Sequence, residues 1–340
     1  MIHKLAIIGF GNVGQGLAAI LAENRAALAR RYGFEFEITA VSDLVKGSAM
    51  VPSGSGGIDP EALLSRPEKI LSKSLGKDAL AVIRESNATI VIELTYTDLK
   101  TGEPATSHLK LAFETGKHAV TTNKGPLALH YAELVKLAAA RKLQFRFEGT
   151  VMAGTPLISF GLKNLAGCDF SEIRGIFNGT TNFILTRMET GMSYDKALAK
   201  AQELGYAEAD PTGDVEGFDT MGKVLILANT FMDGKLKKEN VSRTGITKLT
   251  LDDIKRAAAD GKRWKLIGRL KRDGDSVVGS VAPEALPMAN PLTSVMDATN
   301  AAQFVTDLLG EVTVIGPGAG RKETGFAVLS DLLDIHRMIG

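Results

Sequence analysis

Leu5-Ala6-Ile7-Ile8-Gly9-Phe10-Gly11-Asn12-Val13-Gly14 decides the fold. A short apolar run of strand length ends on G-x-G-x-x-G, and helix-forming residues with helical spacing follow from Leu17 to Arg31. In that context the first glycine permits a tight turn. The second lets backbone approach a pyrophosphate, and the third lets helix and strand pack closely. The helix N-terminus adds unpaired N–H groups and partial positive charge. The stretch therefore predicts the opening of a Rossmann-type nucleotide-binding domain, with Gly9, Phe10, Gly11, Asn12, Val13 and Gly14 against NAD or NADP. The plainer alternative is a glycine turn without a ligand; strand, turn and helix together argue against it.

Outward from this loop the first half keeps a βα rhythm. Strands are expected at 36–41, 89–94, 119–122 and 144–147, and helices at 78–85 and 126–141. Residues 46–60, rich in Gly, Ser and Pro, read as a loop. Such alternation gives a parallel sheet covered on both faces. Ligands in these sheets sit outside the carboxyl ends of the strands, which places Thr95, Asn123 and Lys124 near a nicotinamide and the reacting carbon. Asp43, after the second strand, suits an adenosine ribose and thus NAD. Lys46 suits the 2′-phosphate of NADP, and both cofactors stay open.

The rhythm then changes. Helices are expected at 156–165, 181–188, 193–204 and 218–231, and a hairpin at 264–282 turns on Arg272-Asp273-Gly274-Asp275. A last strand at 313–315 precedes Gly316-Pro317-Gly318-Ala319-Gly320 and a helix over 324–338 that returns to the first domain. The fold expected is an α/β Rossmann-type domain, residues 1–145 with 316–340, and an α+β catalytic and dimerisation domain, residues 146–315.

Composition narrows the function. Forty Lys+Arg against thirty-nine Asp+Glu leaves a net charge of +1, without the basic footprint of a nucleic-acid binder. No apolar run reaches the ~20 residues of a membrane span, and none at the start resembles a signal peptide, so the default compartment is the cytoplasm. The one cysteine, Cys168, forms neither an internal disulfide nor a thiolate metal cluster. His3, His108, His118, His130 and His336 lack metal-ligand spacing and read as structural or exposed.

The richest stretch runs from Gly205 to Lys223. Glu208, Asp210, Asp214, Glu216 and Asp219 fall within twelve residues, among glycine and proline, and lead into a helix. Such a cluster suits an ammonium group or a metal. Asp219 and Lys223 share a helix face at i,i+4 spacing, where an ordinary surface ion pair is the bland alternative.

Together with Thr122-Asn123-Lys124, Gly175-Ile176-Phe177-Asn178-Gly179-Thr180-Thr181-Asn182-Phe183-Ile184-Leu185 and Gly316–Gly320, these blocks resemble homoserine dehydrogenase across nearly the whole chain and in the same order. The resemblance implies reduction of L-aspartate 4-semialdehyde to L-homoserine with NAD(P)H, in threonine and methionine biosynthesis, by a homodimer formed largely through the second domain. It implies that Glu208 and Asp214 bind the substrate's amino end and that Asp219 and Lys223 form the catalytic pair. Lys124 would lie near the substrate oxygen, and Thr95, Lys124 and Gly320 at the cofactor. It also implies a sodium ion held by Glu148, Val151, Ala153 and Thr155, largely through backbone oxygens. Met152 departs from the smaller residue many members have there, and Arg321-Lys322-Glu323 is more charged than usual. The chain resembles a short form: longer relatives continue into a regulatory amino-acid-binding domain, and some carry a kinase domain in front.

Two other readings compete. An aldehyde dehydrogenase working through a thiohemiacetal needs a nucleophilic cysteine with a base; Cys168 lies outside the motif blocks, beside Asp169. A dinucleotide-sensing regulator that lost turnover should lack the acids and lysines that this chain retains.

Overall fold

In the computed structural model, which describes residues 1–52, 54–72, 76–233 and 236–340, the chain divides into two units: Met1–Gly154 with Gly320–Gly340, and Thr155–Ala319. Both boundaries fall a few residues beyond the expected ones. Residues 148–154 stay with the first unit because the Glu148 N–H donates to Asp331 Oδ2 at 2.9 Å, tying the segment to the C-terminal helix. At the other boundary the last strand runs on to Pro317.

The first unit's sheet contains β1 (Ile2–Ile8), β2 (Glu35–Asp43), β3 (Gly47–Met50), β4 (Ile90–Glu93), β5 (His118–Thr121) and β6 (Phe145–Arg146), in the order β3-β2-β1-β4-β5-β6. Every pairing is parallel except β2–β3. The order reverses between β1 and β4, and the crevice outside their carboxyl ends is where this architecture takes a dinucleotide. β3 corrects the loop reading of 46–60. It is a short edge strand, fastened to β2 where Ser48 Oγ donates to Ser42 Oγ at 3.0 Å; Ser53, in the same expected loop, lies outside the described residues.

The central strands are apolar at nearly every position, as burial on both faces requires. Leu5, Ile7, Ile90 and Ile92 join one core with Leu17 and Leu21 of the helix Asn12–Tyr32 and with Val328, Leu332 and Ile335 of the helix Arg321–Ile339. Each such buried side chain contributes ~1.5–3 kcal/mol. At the far end of this helix pair, His3 Nε2 meets His336 Nδ1 at 2.9 Å while His3 stacks on Phe34. The single helix expected over 126–141 is two, Lys124–Leu129 and Tyr131–Ala140. His130 leaves the helical conformation between them, and its Nε2 meets the Thr101 carbonyl at 2.8 Å.

The second unit's sheet contains β7 (Phe170–Ile176), β8 (Val241–Arg243), β9 (Lys262–Asp273), β10 (Ser276–Pro287), β11 (Thr299–Thr306) and β12 (Gly310–Pro317), ordered β12-β11-β7-β9-β10-β8. All pairings are antiparallel except β8–β10. The β9–β10 hairpin turns at Gly274-Asp275, as its sequence demands. The helices Gly179–Glu189 and Phe218–Phe231 lie on the sheet, and Phe231 anchors the second of them against Phe170 and Phe304, ring centroids 5.5 and 5.6 Å away. The opposite face carries an ion-pair network, with Arg269 bridging Glu172 and Glu284, and Arg174 reaching Glu172 and Glu311. The helix expected over 156–165 is only a short turn, widened to π geometry at Phe160–Asn164. No helix among the described residues is long and apolar enough to cross a membrane.

Candidate active site

In the first unit, each glycine of the turn after β1 has its own reason. Gly9 sits at φ +97°, and a Cβ there would lie 2.5 Å from the Leu94 carbonyl oxygen. A Cβ on Gly14 would lie 2.5 Å from the Gly9 carbonyl oxygen, so the helix could not approach the strand. Around Gly11 a Cβ would meet nothing within 4 Å. Gly11 is the N-cap of the helix Asn12–Tyr32, so this open space faces unpaired N–H groups and the positive helix end. That cradle fits a pyrophosphate.

Asp43 and Lys46 brace the turn. Asp43 Oδ2 accepts the Phe10 N–H at 2.9 Å, and Oδ1 accepts the N–H groups of Val45 and Lys46 at 3.0 and 2.9 Å. Lys46 Nζ donates to the Phe10 carbonyl at 2.9 Å. Burial pushes the Asp43 carboxyl up, but the N–H groups of Lys46, Phe10 and Val45 outweigh it and hold it below the ordinary range. Both side chains singled out for the ribose end thus shape the phosphate turn.

At the ends of β4 and β5, Glu93 organises the floor. Its buried carboxylate accepts from Thr95 N at 3.1 Å, from the Thr95 hydroxyl and from Thr121 Oγ1 at 3.1 Å, with His108 Nδ1 at 3.4 Å. Asn123 caps the helix Lys124–Leu129 through Oδ1, and its Nδ2 donates to the carbonyls of Thr95 and Tyr96 at 3.2 and 2.8 Å. Lys124 is the first residue of that helix and half-buried.

In the second unit, the acid-rich block converges on Asn178. This residue caps the helix Gly179–Glu189, its Oδ1 accepting the Thr181 N–H at 2.9 Å. Its Nδ2 donates to Asp214 Oδ1 at 2.6 Å and to Asp219 Oδ2 at 3.1 Å. Only an amide both accepts at a cap and donates to two carboxylates. Asp219 opens the helix Phe218–Phe231, and Asp219 Oδ2 meets Lys223 Nζ at 2.8 Å one turn on. Lys223 is buried and also donates to the Phe177 carbonyl. Burial, then the Asp219 charge, pushes the Asp214 carboxyl up; the Asn178 amide and Lys223 oppose the rise. Asp219–Lys223 is therefore no ordinary surface pair. A buried ammonium, two carboxylates and an amide within one network can bind an amino acid and hold a proton for transfer. Glu208 stands apart from this network on an exposed turn, where Gln202 Nε2 holds its carbonyl at 3.0 Å.

Two families match the chain: "Homoserine dehydrogenase, NAD binding domain" over residues 9–148 and "Homoserine dehydrogenase" over residues 156–333. The chain belongs to the homoserine dehydrogenase family. It is 48% identical to an NAD(+)-dependent homoserine dehydrogenase from Pseudomonas canavaninivorans, over 98% of this chain and 96% of the relative. It is 40% identical to the homoserine dehydrogenase of Methanocaldococcus jannaschii, over 98% of each. A hyperthermophilic archaeal homoserine dehydrogenase mutant, solved in complex with NADPH, superposes with a TM-score of 0.83 at 30% identity, covering 100% of this chain and 99% of that one.

As a homoserine dehydrogenase the chain carries an NAD-binding domain and a catalytic domain, an NAD(P)-dependent oxidoreductase architecture. Sequence reasoning missed Asn178, Glu93 and Asp331. Asp331, in the helix Arg321–Ile339, is buried; burial and then the Glu148 charge push its carboxyl well above the ordinary range. The nearby segment carries two consecutive left-handed residues, Met152 at φ 61° and Ala153 at φ 47°. Each is strained by about 1 kcal/mol, held in place by burial, and such turns cluster at functional sites. No group of three or more His, Cys, Asp or Glu among the described residues could hold a metal ion. The histidine side chains all bond within the first unit: His3 with His336, His108 with Glu93, His118 with the Gln144 N–H and His130 with the Thr101 carbonyl. Cys168 is half-buried in a turn where its N–H bonds the Leu165 carbonyl.

Proposed function

We propose that this chain catalyses the reversible, NAD(P)H-dependent reduction of L-aspartate 4-semialdehyde to L-homoserine, a step of threonine and methionine biosynthesis, in the cytoplasm. The observation that carries the reading is the Asp214–Asn178–Asp219–Lys223 network, with Asn178 and Lys223 buried and both aspartates half-buried. When bound, the dinucleotide supplies the hydride. The chain must then stabilise negative charge growing on the aldehyde oxygen and deliver a proton to it.

Lys223 is the proton donor. An ammonium has three N–H groups; Asp219 and the Phe177 carbonyl take two and fix the direction of the remaining one. Asp219 holds the ammonium in place and Asn178 holds Asp219. Lys124 supplies a second positive charge at the substrate oxygen. Asp214, with Glu208, receives the substrate ammonium; Glu208 must swing in from its exposed turn to do so. Gly9–Gly14 and Gly320 cradle the cofactor, with Phe10, Asn12 and Val13 offering backbone. Thr95 and Asn123 act through the shape they give the loop after β4, since their side chains are engaged there.

NAD and NADP both remain compatible with this chain, because Asp43 and Lys46 spend their hydrogen bonds on the turn. A sodium ion at Glu148, Val151, Ala153 and Thr155 rests on the family resemblance, with the left-handed turn at Met152 and Ala153 as local support. A homodimer would form through the second unit. The face bearing Arg174, Glu172 and Arg269 suits a second copy, because alternating signs on a two-fold interface complement themselves.

The test is L-homoserine oxidation followed at 340 nm with NAD and NADP in parallel. Homoserine-dependent reduction of at least one cofactor is expected; turnover of neither would overturn the assignment.

A further inference from the structure

Asn300 lies in β11 and has no exposed surface. Neither its Nδ2 nor its Oδ1 has a hydrogen-bond partner among the described residues. Such atoms are destabilising in a protein interior and uncommon in native structures. The amide is pressed against two glycine backbones. A Cβ on Gly318 would stand 2.1 Å from Asn300 Cγ, and one on Gly179 would stand 3.4 Å from Oδ1. Gly318 has no left-handed φ that would call for glycine, so the close amide alone requires it.

Leucine would fill this slot without an unmet hydrogen bond. What it lacks is the capacity to bond a backbone within reach. That backbone is Gly316–Ala319, which runs from the end of β12 into Gly320. On its other side it is tethered where Thr155 Oγ1 donates to the Pro317 carbonyl at 2.9 Å. Gly316 and Pro317 are thus held by the β11 pairing and by Thr155, and the Asn300 amide lies unpaired against Gly318.

We propose that Asn300 is a positioning residue for dinucleotide binding. When cofactor binds, its Nδ2 donates to a loop carbonyl and its Oδ1 accepts a loop N–H from Gly318–Ala319, fixing the chain that enters Gly320. The proposal rests on the reading of Gly320 as a cofactor residue.

Asn300→Leu tests it, with NADH and NADPH fluorescence titrations and thermal melts of the cofactor-free protein. Two unpaired polar atoms are replaced by an apolar side chain of similar shape, so the melting temperature should hold or rise. The Kd for the cofactor should rise about tenfold, the equivalent of one net hydrogen bond, while KM for L-homoserine at saturating cofactor stays within about twofold. If Asn300→Leu does not fold, Asn300→Ala with Gly318→Ala restores the packed volume without the amide, and the same loss of cofactor affinity is expected. Wild-type affinity in either protein overturns the proposal. A lower melting temperature with unchanged Kd also overturns it, since the amide is then a packing element. Failure of the wild-type protein to bind either dinucleotide would overturn the cofactor reading itself.

Discussion

Asp43 accepts the Phe10 N–H at 2.9 Å, so the carboxylate at the end of β2 braces the phosphate turn from behind. A bond to a charged acceptor of this kind is worth ~1.5–3 kcal/mol. Asp43→Ala should therefore weaken NADH and NADPH together, each by about tenfold or more. Fluorescence titrations with the two cofactors separate the cases: a loss confined to NADH would return the carboxylate to the ribose.

Lys223→Ala should lower kcat by about 10²–10⁴-fold, the usual consequence of losing a positioned proton donor. Cofactor affinity should change little, because the lysine belongs to the Asn178 network of the second unit. Steady-state kinetics beside an NADPH titration measures both. A variant keeping more than about a tenth of wild-type kcat would remove Lys223 from proton transfer.

Glu208→Gln should raise KM for L-homoserine and leave kcat nearly unchanged. In the proposed role the carboxylate meets the substrate ammonium, away from the reacting carbon, and so contributes equally to ground and transition states. A sharp fall in kcat at constant KM would show that the residue belongs to the chemistry.

His3 makes stability depend on pH. Burial first, then the His336 imidazole, lowers its pKa from 6.5 to about 4. Between those values the unfolded chain binds the extra proton, so stability is complete above about pH 6.5 and is lost as pH falls toward 4. The whole shift amounts to ~3 kcal/mol at most. Urea unfolding at pH 5 and 7.5 should show this loss, and His3→Leu should flatten it; an equal loss in the variant would assign the slope to other groups.

The parts of the fold written as local pattern were legible. Gly9–Gly14 located strand, turn and helix because each glycine answers a contact that only that architecture makes. The helix 218–231 came out whole because its apolar positions repeat cleanly. β7, β8 and β11 carry no such signature; each exists through long-range pairing, as where Phe304 of β11 lies opposite Ile173 of β7. The site divides in the same way. Asp219 and Lys223 announce themselves by i,i+4 spacing, whereas Asn178 meets Asp214 across 36 positions of sequence. Asp43 shows the same limit: strand position says where a carboxylate stands but not which backbone N–H groups it also meets.

The helix Arg321–Ile339 completes the core of a unit whose first strand begins at Ile2. During synthesis, Leu5, Ile7 and Leu17 leave the ribosome long before Val328, Leu332 and Ile335 exist to cover them. The second unit, Thr155–Ala319, is continuous in sequence and emerges entire before the first is finished. The order of translation is thus not the order of completion, and the nucleotide-binding unit must wait with an open flank for its final helix.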